Sequence, residues 1–470
     1  MSVVYKDRCR SAGKIADTLS GDNAPAAERC VAAPEWGNER RKEVLKFAGG
    51  IGMMLTSPPS TDSHSVMKPF IALLLTGMVA SAHAANPRLH HAPSQYLLLN
   101  VQVPENVVRD FEEIDAMFGG PVRGTVAPGV GYILSYLDFP PAHVDSCLNL
   151  VLSLAVKYRL PVLIHPDGEQ YWGHRPDLWN WWDPAQAGYN PANRYNVEWY
   201  DWSPDSAVKI GWRNWGEQRR VLPMPNLMSP RYRSACDSAM RRIVPIIRRW
   251  WRALPDSLQY LFAGINVGWE SAIGVNNWYY PHGNALLEKP AADDPVYGLN
   301  ALARPSRGVQ TIGYAAVRTS GIARAGLLTA DQLAEIVRRH LEDLSRICFE
   351  NGIPRDRIFT HCGGWGKGDP TPAAAVNRYS CPGWSFYDFA FDPSEDANTM
   401  SALDKSDAPY WAATEWLYQG NRGNGEAEWL LAIANALSMP RLRYLCIYNW
   451  EGINNNRAAV SAVRVAMSLY

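Results

Sequence analysis

From residue 96 to the end of the chain, short apolar runs alternate with stretches whose apolar positions recur at helical spacing. Residues 96–103 read as a strand, and 105–118 as a helix closed by Gly119-Gly120. A second strand over 130–137 precedes a helix over 142–158, and 160–165 forms a third strand. Ser229-Pro230 starts a helix running to about residue 254, with a cap followed by proline at the first helical position and a kink expected at Pro245. The fourth strand is 261–270. The strongest helical signal follows: Thr329 and Gln332 make a capping box, Leu333, Ile336, Val337, Leu341, Leu344, Ile347 and Cys348 share one face, and Asn351-Gly352-Ile353-Pro354 ends it. Strands over 357–361, 384–391, 410–416 and 444–450 complete the series, with helices over 425–437 and 455–469. Eight nearly continuous apolar strands separated by helices predict a (β/α)8 TIM barrel, with long aromatic-rich loop insertions on its catalytic face. A doubly wound open sheet is the alternative, but no glycine-rich phosphate loop follows the first strand.

The N-terminal pattern is of another kind. Met67-Lys68-Pro69, an apolar stretch over 70–79 and Ser81-Ala82-His83-Ala84 form the basic start, apolar run and A-x-A site of a secretory signal peptide. This divides the chain into an N-terminal extension over 1–66, read as an over-long gene call, a signal peptide over 67–84, and a catalytic barrel over 85–470. The expected location is secreted or periplasmic. No run of about 20 apolar residues occurs, so no membrane span is expected in the mature chain.

Charge narrows the choice of partner. The 470 residues hold 46 basic and 46 acidic side chains, a balance that argues against a nucleic-acid partner. The 19 tryptophans and 22 tyrosines exceed what a core needs and favour a binding cleft. Eight of these tryptophans, Trp172, Trp179, Trp181, Trp182, Trp199, Trp202, Trp212 and Trp215, lie in the aperiodic segment 171–215. Part of that set must pack the insert itself; the rest, Trp182 and Trp202 among them, are candidates to stack on sugar rings. The cysteine spacing matches no metal motif, and Cys362 and Cys381 share one Gly/Pro-rich loop where an exported protein could bridge them.

Glu270 and Glu415 carry the candidate chemistry. Each ends an apolar strand, and each is flanked by tryptophan, Trp269 before the first and Trp416 after the second. A carboxylate at such a place must be hydrated, paired or catalytic. Structural ion pairing is the bland reading for either one alone; both together, at the ends of strands four and seven, fall on the rim where a barrel places its active site. Glu169 and Glu451 are rival acids on that rim. His165 and His361 end strands three and five, and either bind sugar hydroxyls or sit satisfied in the core. A metal site is disfavoured because Asn100-Val101-Gln102 offers no H-x-H pair on strand one.

An acid after strand four and a nucleophile after strand seven resemble clan A of the glycoside hydrolases, over residues 96–470. The resemblance implies Glu270 as acid/base and Glu415 as nucleophile of a retaining enzyme, in which two carboxyls stand about 5–5.5 Å apart. It also implies an aromatic residue beneath the sugar after strand eight, which Trp450 matches, and a polar aromatic after strand six, Tyr387, holding the nucleophile. The clan's asparagine before the acid is absent: that position is Trp269, and Asn266 is the nearest asparagine. No one family within the clan fits. The expectation is a secreted retaining glycoside hydrolase acting on β-linked oligo- or polysaccharide without a cofactor. The alternatives are a non-catalytic carbohydrate-binding barrel and a metal-dependent barrel hydrolase using His165 and His361.

Overall fold

The computed structural model describes residues 93–119, 124–214, 218–273, 275–277, 309–363 and 371–470. The extension and the signal-peptide segment assigned above lie outside these residues. Among the described residues no helix is long and apolar enough to cross a membrane.

Eight parallel strands close into one barrel: β1 (Gln95–Val101), β2 (Val126–Ser135), β3 (Val162–Asp167), β4 (Phe262–Ser271), β5 (Ile358–Cys362), β6 (Gly383–Phe386), β7 (Trp411–Trp416) and β8 (Leu442–Ile447). They pair in sequence order around the ring, and β8 returns to β1 through Tyr96↔Tyr444 to Leu99↔Ile447. The expected (β/α)8 architecture is therefore present. Among the described residues the helices of eight or more residues are α1 (Val107–Phe118), α2 (Pro141–Tyr158), α3 (Pro230–Ala253), α4 (Ala330–Glu350), α5 (Ala397–Asp404), α6 (Glu426–Leu437) and α7 (Arg457–Leu469). Between β5 and β6 the described connection holds only a 3-10 turn, Thr371–Ala375.

The apolar strand pattern serves two cores. Tyr96, Leu98, Leu163, Phe359, Tyr444 and Cys446 fill the barrel interior, while alternate residues such as Leu97, Ile265 and Val267 face the helices. This is the period-two alternation of a strand buried on both faces. Local signals hold where they were strongest. Thr329 and Gln332 exchange both capping-box bonds, at 3.1 and 3.2 Å. The helix α3 starts at Pro230 as expected and continues through Pro245. The weakest strand, expected over 384–391, is only the four residues Gly383–Phe386. The conjectured Cys362–Cys381 bridge is corrected: the two form no disulfide and are buried, and Cys362 Sγ donates to the Thr371 carbonyl at 3.2 Å. Cys381 lines the barrel interior and Cys362 the helix side, so they face opposite sides of one sheet.

Both candidate acids stand where strand pairing breaks. From Val267↔Thr360 to Ser271↔Cys362 the chain takes four steps along β4 against two along β5. From Trp384↔Ala413 to Ser385↔Glu415 it takes one step along β6 against two along β7. Such bulges bend a strand and re-aim side chains beside active sites. In β4 the break needs Gly268 at φ +82° and puts Glu270 itself in the left-handed region, at φ +46°. A β-carbon on Gly268 would come within 2.5 Å of Leu341 and Ser271.

Candidate active site

Glu270 and Glu415 meet at the carboxyl-terminal mouth of the barrel. One oxygen of each carboxyl group and a ring nitrogen of His361 all lie within 4.8 Å of one another. The two acids are 6% and 3% exposed, so each must be satisfied mainly by protein groups.

Their surroundings differ. Glu415 accepts a hydrogen bond on Oε2 from Trp269 Nε1, at 3.2 Å, and one on Oε1 from the Tyr387 hydroxyl. Burial, then the neighbouring Glu415 and Glu270, push the Tyr387 phenol well above its usual range, so it stays protonated and donates. Glu270 accepts on Oε1 from Ser385 Oγ at 3.0 Å.

Behind Ser385 runs a chain of neutral imidazoles. His361 Nε2 is 2.7 Å from Ser385 Oγ, and His361 Nδ1 is 3.2 Å from His165 Nε2. His165 Nε2 also lies 2.6 Å from the carbonyl oxygen of Gly268. A carbonyl only accepts, so Nε2 of His165 carries the proton. That assigns Nδ1 of His361 as acceptor and its Nε2 as donor to Ser385, whose hydroxyl proton then points at Glu270. Burial holds His165 down at about 4, and burial with the neighbouring His165 holds His361 well below the usual histidine range. His361 Nε2 is also 3.8 Å from Glu415 Oε2, but a neutral ring makes no ion pair there.

Trp269, Tyr387 and His361 thus join the two acids, and His165 stands one layer behind. Two expected contacts, at Asn266 and Trp450, are corrected by burial. Asn266 is fully buried, with no hydrogen-bond partner for either side-chain atom. It lies four residues before Glu270, between Ile265 and Val267, which face the helices, and is paired with Phe359 of the barrel interior, so it faces that interior. Trp450 is fully buried between barrel and helix: its ring meets Phe118 edge-on and its N–H donates to Glu113 at 3.3 Å. The aromatic group near Tyr387 from the end of β8 is Tyr448 instead. Trp182 packs on Trp179 and Trp181. Trp202 packs edge-on against Tyr314 and donates to the Gly326 carbonyl at 2.7 Å. Both rings are only part-buried by this packing. Of the rival acids, Glu169 is bonded to Ser271 and His340, and Glu451 accepts from Asn106 at 2.9 Å.

Sequence reasoning missed Ser385 and Tyr448. Ser385 stands two residues before Tyr387 in a short strand, and a lone serine has no spacing that marks it. Tyr448 had the same aromatic signal as Trp450, and only the bend of the chain after β8 separates them.

No protein family matches the sequence, and no curated protein does. Among solved structures, the chain is similar to the catalytic domain of a β-amylase from Paenibacillus polymyxa, at 8% identity, covering 81% of this chain and 100% of that one, TM-score 0.43. It is also similar to a family 5 xyloglucanase from Paenibacillus pabuli, at 10% identity over 80% and 99% of the two chains, TM-score 0.34. A glycoside hydrolase family 5 enzyme from Prevotella bryantii, solved with a xyloglucan tetradecasaccharide, shares 11% identity over 76% and 86%, TM-score 0.35. The class this chain falls in, a (β/α)8 barrel with two carboxyl groups across its mouth, rests on its own strand pairing and side-chain geometry.

Proposed function

We propose that this chain is an exported retaining glycoside hydrolase, acting on β-linked oligo- or polysaccharide, with Glu415 as nucleophile and Glu270 as acid/base. The observation that carries the reading is the approach of the two carboxyl groups to within 4.8 Å, each in a different hydrogen-bond environment. That approach suits a retaining pair, at about 5–5.5 Å, better than an inverting pair, which leaves about 6.5–9.5 Å for a water. Donors on both oxygens of Glu415 favour its ionised form. Glu270 faces that negative charge, which favours its protonated form and outweighs the Ser385 hydroxyl donated to its Oε1.

The steps follow. A Glu415 oxygen attacks the anomeric carbon as the glycosidic C–O bond breaks, and Glu270 gives its proton to the departing oxygen. Water then attacks the same carbon, Glu270 takes the water's proton, and Glu415 leaves as carboxylate.

A metal-dependent reading has one observation in its favour, the approach of Glu270, His361 and Glu415. It requires atoms already engaged: His361 Nε2 by Ser385, and Glu415 by Trp269 and Tyr387. A panel of β-linked polysaccharides and aryl glycosides separates the readings. Glu415→Ala loses turnover on every substrate. Glu270→Ala loses it on poor leaving groups but keeps activated aryl glycosides, and azide raises the latter's turnover. Wild-type turnover in Glu415→Ala removes the assignment. Loss of activity in a chelator, restored by a divalent cation, replaces it with the metal reading, and sugar binding without turnover in wild type replaces it with the binding barrel.

A further inference from the structure

The backbone that carries Glu270 leaves the ladder between Val267 and Ser271. On the β3 side its ladder ends at Ile164↔Ile265, and on the β5 side the two extra residues break the register after Val267. Ser271 rejoins β5 through Ser271↔Cys362 and the Gly363 N–H, which donates to its carbonyl at 3.1 Å, and side chains from the end of β3 and from α4 also hold residues 268–271. His165 bonds the Gly268 carbonyl, as described, and Gln170 Nε2 donates to the Trp269 carbonyl at 3.3 Å. Ser271 Oγ donates to Glu169 Oε1 at 2.6 Å, and His340 Nε2 from α4 lies 3.0 Å from that same oxygen. Glu169 is itself fixed, since its N–H donates to Asp167 at 2.9 Å and the Tyr232 hydroxyl bonds the adjacent Gly168 carbonyl at 2.9 Å. Glu169, Ser271 and His340 are at most 2% exposed.

We propose that Glu169, Ser271 and His340 form a positioning cluster that aims Glu270. A left-handed backbone at a residue other than glycine is strained and persists only where its surroundings over-determine it. Those surroundings are here a hydroxyl one residue after Glu270, tied through a buried carboxylate to a helix. A core that needed only filling has no use for a carboxylate at this place, because burying one is more costly than apolar packing. The cluster acts through the backbone: it sets where the Glu270 carboxyl stands relative to Glu415 and to the departing oxygen.

The catalytic part of this inference rests on the glycosidase reading; the conformational part does not. The test uses Ser271→Ala, His340→Phe and His340→Gln in the full chain, with thermal midpoints recorded separately. For substrates with poor leaving groups, kcat/KM falls roughly 10- to 100-fold in Ser271→Ala and His340→Phe, the loss expected from a misplacement of about 1 Å. Activated aryl glycosides, which depart without a proton, lose less than about threefold. His340→Gln restores an N–H donor and recovers most of the loss. A crystal structure of Ser271→Ala shows Glu270 outside the left-handed region or turned away from Glu415. Equal losses on both substrate types overturn the proposal, as does a Ser271→Ala structure with Glu270 unmoved. If wild type cleaves no glycoside, the glycosidase reading fails and that structure alone decides whether the cluster aims Glu270.

Discussion

Replacing Tyr387 by phenylalanine removes one hydroxyl from the site and keeps the ring. In the folded protein that hydroxyl donates to Glu415 Oε1, while Trp269 Nε1 donates to Oε2. A hydrogen bond to a charged group contributes about 1.5–3 kcal/mol. One pH unit corresponds to about 1.4 kcal/mol, so the lost bond is worth about one to two units. The direction follows from which form the bond serves. The phenol stays protonated and donates, so it stabilises the carboxylate; without it Glu415 takes up a proton at higher pH. Attack requires the ionised form, so the acidic limb of the pH profile of kcat/KM moves upward by about one to two units. The remaining Trp269 bond keeps the shift from growing further. The assay is kcat/KM against pH on one aryl glycoside, because that ratio reports the ionisations of the free enzyme. Far-ultraviolet circular dichroism at each pH shows that the variant is folded. An acidic limb that stays in place, or moves to lower pH, refutes the argument that Tyr387 holds Glu415 ionised.

Further expectations concern the bulge and the buried titratable groups. Gly268→Ala puts a β-carbon within 2.5 Å of Leu341 and Ser271 at φ +82°, and should lower stability by about 1–3 kcal/mol; an unchanged urea midpoint counts against the strain argument. Burial pushes Asp167 and Glu198 up to about 8 each. Groups raised in this way stabilise the fold most below their unfolded values, near 4, and that contribution is lost as pH rises to about 8. His165, held down at about 4, has the opposite dependence: its contribution is complete above about 6.5 and is lost as pH falls. The two oppose each other below about pH 6.5, so the thermal midpoint should fall between about pH 6.5 and 8, and Asp167→Asn should reduce that fall. A midpoint that rises over this window, or the same decline in Asp167→Asn, contradicts the assignment. Export should leave Ala85 as the first residue, which N-terminal sequencing of protein secreted by the native host checks; an intact 67–84 segment contradicts it.

Much of this architecture is local physics written along the chain. Strands buried on both faces must be apolar at nearly every position, and helices between them must be apolar on one side, so the alternation and the count of eight were legible in residues 96–470. Glu270 and Glu415 stood out for the same reason, because a charge at the end of an apolar run contradicts its surroundings. Trp269 was legible only through its place beside Glu270, and Tyr387 only through the resemblance, as a polar aromatic after strand six. The tertiary structure alone decided where each side chain points. Bulges at Gly268–Glu270 and at Thr414 depend on how two strands far apart in sequence fall into register, and no window of one strand contains that information. Those breaks aim the acids at each other, leave Asn266 inside the barrel, and open the gap that Gln170, Glu169 and His165 fill. Ser385 and His340 entered the site for the same reason: a lone serine on a strand and a lone histidine on a helix acquire a role only from the distant carboxylate that closure of the barrel sets beside them.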